Sequence, residues 1–124
     1  MTLVDTSIWI DGLRGGTSER KLRALLEADD VVMHPWIIAE LRLGNLGPRG
    51  EILLELMGRL ESLPVLKDPE VLELVRVHRL SGLGIGWVDA HLIGSARMAG
   101  AALLTFDEPM LRAAVKAGLL ASRR

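Results

Sequence analysis

Four carboxylates in this chain of 124 residues stand where apolar side chains would be expected. Asp5 closes the run Thr2-Leu3-Val4, and Asp107 closes Ala101-Ala102-Leu103-Leu104-Thr105-Phe106. Glu40 and Asp89 fall inside helical patterns. Glu40 has Trp36, Ile37, Leu43 and Gly44 as its helical neighbours, and Asp89 has Leu92, Ile93 and Ala96, so both are expected to look inward. An ionised carboxylate in apolar surroundings is costly unless a cation meets it. The four are therefore expected to converge on one divalent metal site. Hard divalent cations take oxygen ligands, and magnesium keeps several waters, which leaves room for a substrate phosphate. Such an ion activates water and polarises a phosphoryl oxygen. The chemistry that follows is hydrolysis of a phosphodiester.

Each carboxylate also has a plainer reading. Asp107, before Glu108-Pro109, could be a helix N-cap, and Asp89 a first-turn acid favoured by the helix dipole. Glu40 could pair with an Arg, and Asp5-Thr6-Ser7 could be a turn. The four taken together, at compatible places, favour a shared site.

The elements that must position them read as follows. Thr2 to Val4 and Val31-Val32-Met33 are short buried strands, and Ala101 to Thr105 is another. Leu63 to Leu66 and Leu119-Leu120 are candidates for two more. Helices are expected over Ser7 to Leu13, from Ser18 as cap through Ala28, and over Pro35 to Leu43, Glu51 to Leu60, Pro69 to Leu80, Trp87 to Met98 and Pro109 to Ala117. Strands alternating with helices give an α/β domain, a three-layer sandwich with a central, mainly parallel sheet and helices on both faces. In open parallel sheets ligands bind beyond the carboxyl ends of the strands, where Asp5 and Asp107 stand. A helix from Trp87, a turn at Ala99-Gly100 and a strand to Thr105 fill the span from Asp89 to Asp107 and return the chain to that edge.

Composition narrows the setting. The length fits a single domain over 1–124. A mean hydropathy of +0.29 is apolar for so small a domain and is consistent with a partner covering some surface. No apolar stretch approaches a membrane span, and Met1-Thr2-Leu3-Val4-Asp5 lacks the basic region of a secretory signal. The absence of cysteine excludes disulfides and thiolate chemistry and agrees with a cytoplasmic location. A net charge of −1 provides no basic footprint, although twelve of fifteen cations are Arg, the side chain best shaped for phosphate.

Other features are weaker. His91 is rotated about 200° from Asp89 on a helix and is expected to face solvent or a partner. Gly82-Leu83-Gly84-Ile85-Gly86 has no preceding strand and reads as a turn. Trp9, Trp36 and Trp87 suit a core better than base stacking. The stripe from Ile52 to Leu60 is either core or part of a groove for a partner helix.

Val4-Asp5-Thr6-Ser7-Ile8-Trp9, Ile38-Ala39-Glu40-Leu41, Val88-Asp89-Ala90-His91-Leu92-Ile93 and Leu103-Leu104-Thr105-Phe106-Asp107, in this order and spacing, resemble the PIN-domain ribonucleases, in particular the VapC toxins of toxin–antitoxin pairs. The resemblance spans the chain. It implies a PIN-like fold with Asp5, Glu40, Asp89 and Asp107 around magnesium or manganese, Asp107 directly or through water. Thr6, Ser7 and Thr105 would be the supporting hydroxyls. It further implies a cytoplasmic homodimeric endoribonuclease that cuts RNA, transfer RNA in some relatives, and is inhibited by a VapB-like antitoxin reaching the acidic site. Two other classes compete: an acid-cluster phosphatase or phosphotransfer domain, and a catalytically silent partner-binding module. Asp5-Thr6-Ser7 is not the Asp-x-Asp of the phosphatases, and no late Lys-Pro pair suits a receiver.

Overall fold

The computed structural model describes residues 1–124. Strands β1 (Thr2–Val4), β2 (Val31–Val32), β3 (Ala102–Leu104) and β4 (Ala121–Ser122) form one sheet in the order β2-β1-β3-β4. Every pair is parallel, and Leu3 stands opposite Val32 on one side and Leu103 on the other. Seven helices connect them: α1 (Thr6–Leu13), α2 (Glu19–Glu27), α3 (Pro35–Leu43), α4 (Gly50–Met57), α5 (Asp68–His78), α6 (Trp87–Ala99) and α7 (Glu108–Lys116).

The strand order carries a consequence. The chain leaves β1 in one direction to reach β2, and leaves β3 in the other to reach β4. Right-handed crossovers running opposite ways put their helices on opposite faces and open a crevice where the direction reverses. That switch point lies between β1 and β3, the two central strands. Their uninterrupted apolar character fits a sheet covered on both sides: Leu3, Val4, Leu103 and Leu104 are all buried.

Helix α6 runs through the interior, with Ala90 to Ala96 buried without a break. This corrects the expectation for His91. It is fully buried, with Nε2 3.0 Å from Asp68 Oδ1 and its ring packed between Trp36 (centroids 4.2 Å apart) and Trp87 (4.7 Å). A helix covered on one face by the sheet and on another by α5 has no free side opposite Asp89, so helical rotation alone misplaces it. Trp9 is core, whereas Trp36 is half-buried and Trp87 is 41% exposed.

Several boundaries moved for local reasons. The last strand is Ala121–Ser122, because Gly118 takes a left-handed φ of 91° and Leu119 N–H still bonds back to the Ala114 carbonyl. The stretch at Leu63 keeps only one bridge, Met33 to Ser62. Ser18 does not cap α2 with its side chain; its hydroxyl donates to Asp11 Oδ2 at 2.6 Å, tying the loop back to α1. The stripe on α4 divides, with Leu54 and Met57 buried and Ile52 and Leu56 exposed.

His34 fixes how α3 leaves the sheet. Its Nδ1 accepts the Trp36 N–H at 3.0 Å, so in the neutral ring Nε2 carries the proton. That nitrogen lies 3.2 Å from Ser95 Oγ, which donates to the Pro64 carbonyl at 2.8 Å. Protonating Nδ1 would break the cap. Burial, reinforced by nearby His91, holds the His34 pKa down at about 4. The unfolded chain binds this proton more readily, so stability should fall as pH drops from about 6.5 to 4, by on the order of 3 kcal/mol. Urea midpoints across that range should show the loss, and His34→Asn, which can still cap, should flatten it.

Candidate active site

β1 and β3 end side by side, and Asp5 N–H donates to the Leu104 carbonyl at 2.9 Å. This bond places Asp5 at the head of α1 on the switch-point crevice. Its carboxylate is only 7% exposed, and Oδ2 accepts from Thr105 Oγ1 at 2.7 Å and from Ser7 Oγ at 3.1 Å. The two hydroxyls are themselves oriented. Ser7 Oγ accepts the Phe106 N–H and Thr105 Oγ1 accepts the Asp107 N–H, so both hydroxyl protons point to Asp5.

The other three acids are held in a comparable way. Glu40 Oε1 accepts from Thr6 Oγ1 at 3.1 Å, across the gap between α3 and α1. Asp89 Oδ2 accepts the Gly86 N–H at 3.1 Å in the first turn of α6. Asp107 caps α7, with Oδ1 accepting the Met110 N–H at 2.9 Å. Each carboxylate is thus positioned through one oxygen. The other four oxygens, Asp5 Oδ1, Glu40 Oε2, Asp89 Oδ1 and Asp107 Oδ2, have no hydrogen-bond partner in the chain. Thr6, Ser7 and Thr105 each donate to one of the four acids. The clamping amides of Gly86 and Phe106 were not singled out from sequence, although Gly86 and Asp89 have the spacing of a capping box.

Charge ties the group together. No Lys or Arg forms an ion pair with any of the four. Burial raises the pKa of Glu40, and the charges of Asp5 and Asp89 push it the same way against the Thr6 hydrogen bond. Burial likewise raises that of Asp89, with Asp5 and Asp107 adding to it against the Gly86 amide. All four acids therefore take part in one web of mutual repulsion.

The inward-looking expectation needs correction. Asp5 is buried and Asp89 half-buried, but Glu40 and Asp107 are exposed. On α3 the core side is Ile37 and Leu41, whereas Leu43, counted above as an apolar neighbour of Glu40, is itself exposed. Nor do any three of the acids close into a ready-made metal cage. Like charges without a counter-ion stay apart, and the two exposed side chains have room to do so. The donor set still fits a hard divalent ion: it is all oxygen, unpaired with any cation, and anchored on one side.

The fold is that of a PIN domain, and the chain belongs to that family: the PIN domain model matches residues 2–116. Its place within the family is with the VapC ribonucleases. It is 43% identical over 114 residues to Ribonuclease VapC32 of Mycobacterium tuberculosis, covering 92% of this chain and 90% of that protein. Among solved structures it is similar in fold to FitAcB from Neisseria gonorrhoeae (TM-score 0.67, 21% identity, 98% and 96% of the two chains). PAE2754 from Pyrobaculum aerophilum is also similar (TM-score 0.65, 19% identity, 97% and 87%).

Burial and repulsion act on these acids with a sign that can be checked. The native state holds protons on Glu40 and Asp89 more tightly than the unfolded chain does. In metal-free protein, stability should therefore fall as pH rises from the ordinary carboxylate range through these raised values. Asp89→Asn keeps an oxygen for the Gly86 amide while removing the charge. It should stabilise the metal-free protein at neutral pH by about 1 kcal/mol or less, measured by urea unfolding in chelator.

Proposed function

We propose that this protein is the toxin of a type II toxin–antitoxin pair, a magnesium- or manganese-dependent endoribonuclease that hydrolyses RNA phosphodiester bonds. The observation that carries the reading is the arrangement of four acids at the switch point, each fastened by one oxygen and offering the other. Its kinship with Ribonuclease VapC32 supports RNA as the polymer cut. The phosphatase and phosphotransfer alternatives gain no support from membership of the PIN family.

In this reading Asp5, Glu40 and Asp89 would hold the metal ion, directly or through water. When bound, the ion supplies Lewis acidity toward the phosphoryl oxygen, a more acidic water and compensation for the developing charge. Asp5 contributes a fixed reference point, because two oriented hydroxyls and burial leave its carboxylate little freedom. Thr6 keeps Glu40 turned toward the α1 side of the crevice. Asp107, fixed by its cap through Oδ1, would use Oδ2 to complete the metal shell or to orient the attacking water. In-line attack would leave a 5′-phosphate.

The antitoxin is a second part of the proposal. Ile52 and Leu56 on α4 leave an exposed apolar strip beside α3, suited to an amphipathic helix of a VapB-like partner. A homodimer, transfer RNA as target and a cytoplasmic site of action complete the reading. No helix of the protein is long and apolar enough to cross a membrane.

Magnesium or manganese should raise the melting temperature by binding the native state. Asp5→Asn should remove both that rise and RNA cleavage. A purified, folded Asp5→Asn protein that still cuts RNA in magnesium would refute the assignment. Thr105→Val, which leaves Asp5 with the Ser7 hydroxyl alone, should lower kcat by about tenfold, with chelator-free cleavage assays as the measure.

A further inference from the structure

Beside the acid cluster lies a recess of opposite character. Its volume is about 400 Å³, and no acidic side chain lines it. Lys21, Arg123 and Arg124 supply cations, and Phe106 and Leu104 supply an apolar wall. Three features place it in register with the four acids. Leu104 ends β3, Phe106 stands between Thr105 and Asp107, and Arg123 and Arg124 follow β4, the neighbour of β3. The recess therefore opens on the same carboxyl edge of the sheet.

Phe106 is the only phenylalanine in a chain with no tyrosine, and it is 37% exposed rather than packed in the core. Its backbone N–H donates to Ser7 Oγ, which in turn fixes Asp5, so its position is set by the acid cluster itself. Lys21 and Arg124 pair with no carboxylate, while Arg123 is held by Glu108 at the start of α7. An exposed π-face beside uncommitted cations matches the two parts of a nucleotide, its base and its phosphate. Charge also calls for such a place. Four acids and a net charge of −1 repel a polyanion, and no general basic surface offsets them.

We propose that this recess is a subsite for the nucleotide next to the scissile phosphate of a single-stranded RNA, with the base stacked on Phe106 and the phosphate met by Lys21 and Arg124. The assignment rests on the ribonuclease reading and adds a substrate form to it. Stacking on Phe106 requires an unpaired base, which excludes an intact duplex at this position.

Binding and cleavage are to be measured side by side. Binding uses fluorescein-labelled oligouridylate and its counterpart with one abasic position, on an Asp5→Asn background that leaves the strand uncut; cleavage uses the unaltered background. Lys21→Ala with Arg124→Ala should weaken binding by about tenfold and lower the salt slope by about 0.7, the value for one phosphate contact on a single strand. In cleavage the same pair should raise KM and leave kcat within about twofold. Phe106→Ala should abolish the preference for the base-bearing over the abasic strand, about tenfold in the parent protein, and Phe106→Trp should retain it. Unchanged affinity, salt slope and abasic preference would overturn the subsite, while continued cleavage would leave the ribonuclease reading intact. Loss of binding in these variants with no cleavage by any form would uphold the subsite and refute the ribonuclease reading. If the variants lose a polyglutamate peptide but bind RNA normally, the recess belongs to an acidic protein segment and the proposal fails.

Discussion

Four carboxylates that repel one another are held at the carboxyl edge of a small parallel sheet, and the local structure is built to keep them there. Asp5 shows the cost and its remedy most clearly. It is nearly buried with no cationic partner, and two hydroxyls whose own lone pairs are engaged by backbone amides offset its desolvation. The neighbouring strand fixes its backbone. Glu40, Asp89 and Asp107 are fastened by a hydroxyl, a capping amide and a helix terminus. Different local devices thus give the same result, a carboxylate with one oxygen committed and one free. Burial, with the repulsion that remains, raises the proton affinity of Glu40 and Asp89.

The topology explains why these residues, spread from Asp5 to Asp107, can meet at all. Reversal of the chain direction between β1 and β3 opens one crevice in the sheet. Asp5 and Asp107 are the residues that the two bordering strands deliver to it. Helix α6, threaded through the interior, brings Asp89 to the same edge, and the His34 chain to Ser95 and Pro64 secures the departure of α3 toward Glu40. Stability and the placement of the acids therefore draw on shared residues. The core packing that buries α6 also sets the position of one acid.

Much of this was legible in the sequence because each signal was local. Apolar runs broken by Asp mark strand ends, and the span from Asp89 to Asp107 fits one helix, one turn and one strand. Asp107 and Asp89 are helix caps, and each keeps a second carboxylate oxygen free, so capping does not compete with the proposed shared site. What failed depended on layers the sequence does not display. The burial of His91 comes from α5 and the two flanking tryptophans, and the exposure of Glu40 from the rim position of Leu43 and its neighbours. The basic recess was hidden for a related reason. Lys21, Phe106 and the pair Arg123-Arg124 come from three separate parts of the chain and share no spacing pattern.

In the proposed function a shared divalent cation relieves the mutual repulsion among these acids. The most direct test is to follow the side-chain carboxyl carbons of Glu40 and Asp89 by NMR across pH, first in chelator and then in saturating magnesium. Both groups should titrate above the ordinary carboxylate range in chelator, and magnesium should move both below it. Titration that magnesium leaves unchanged, in protein whose fold is intact, would contradict it.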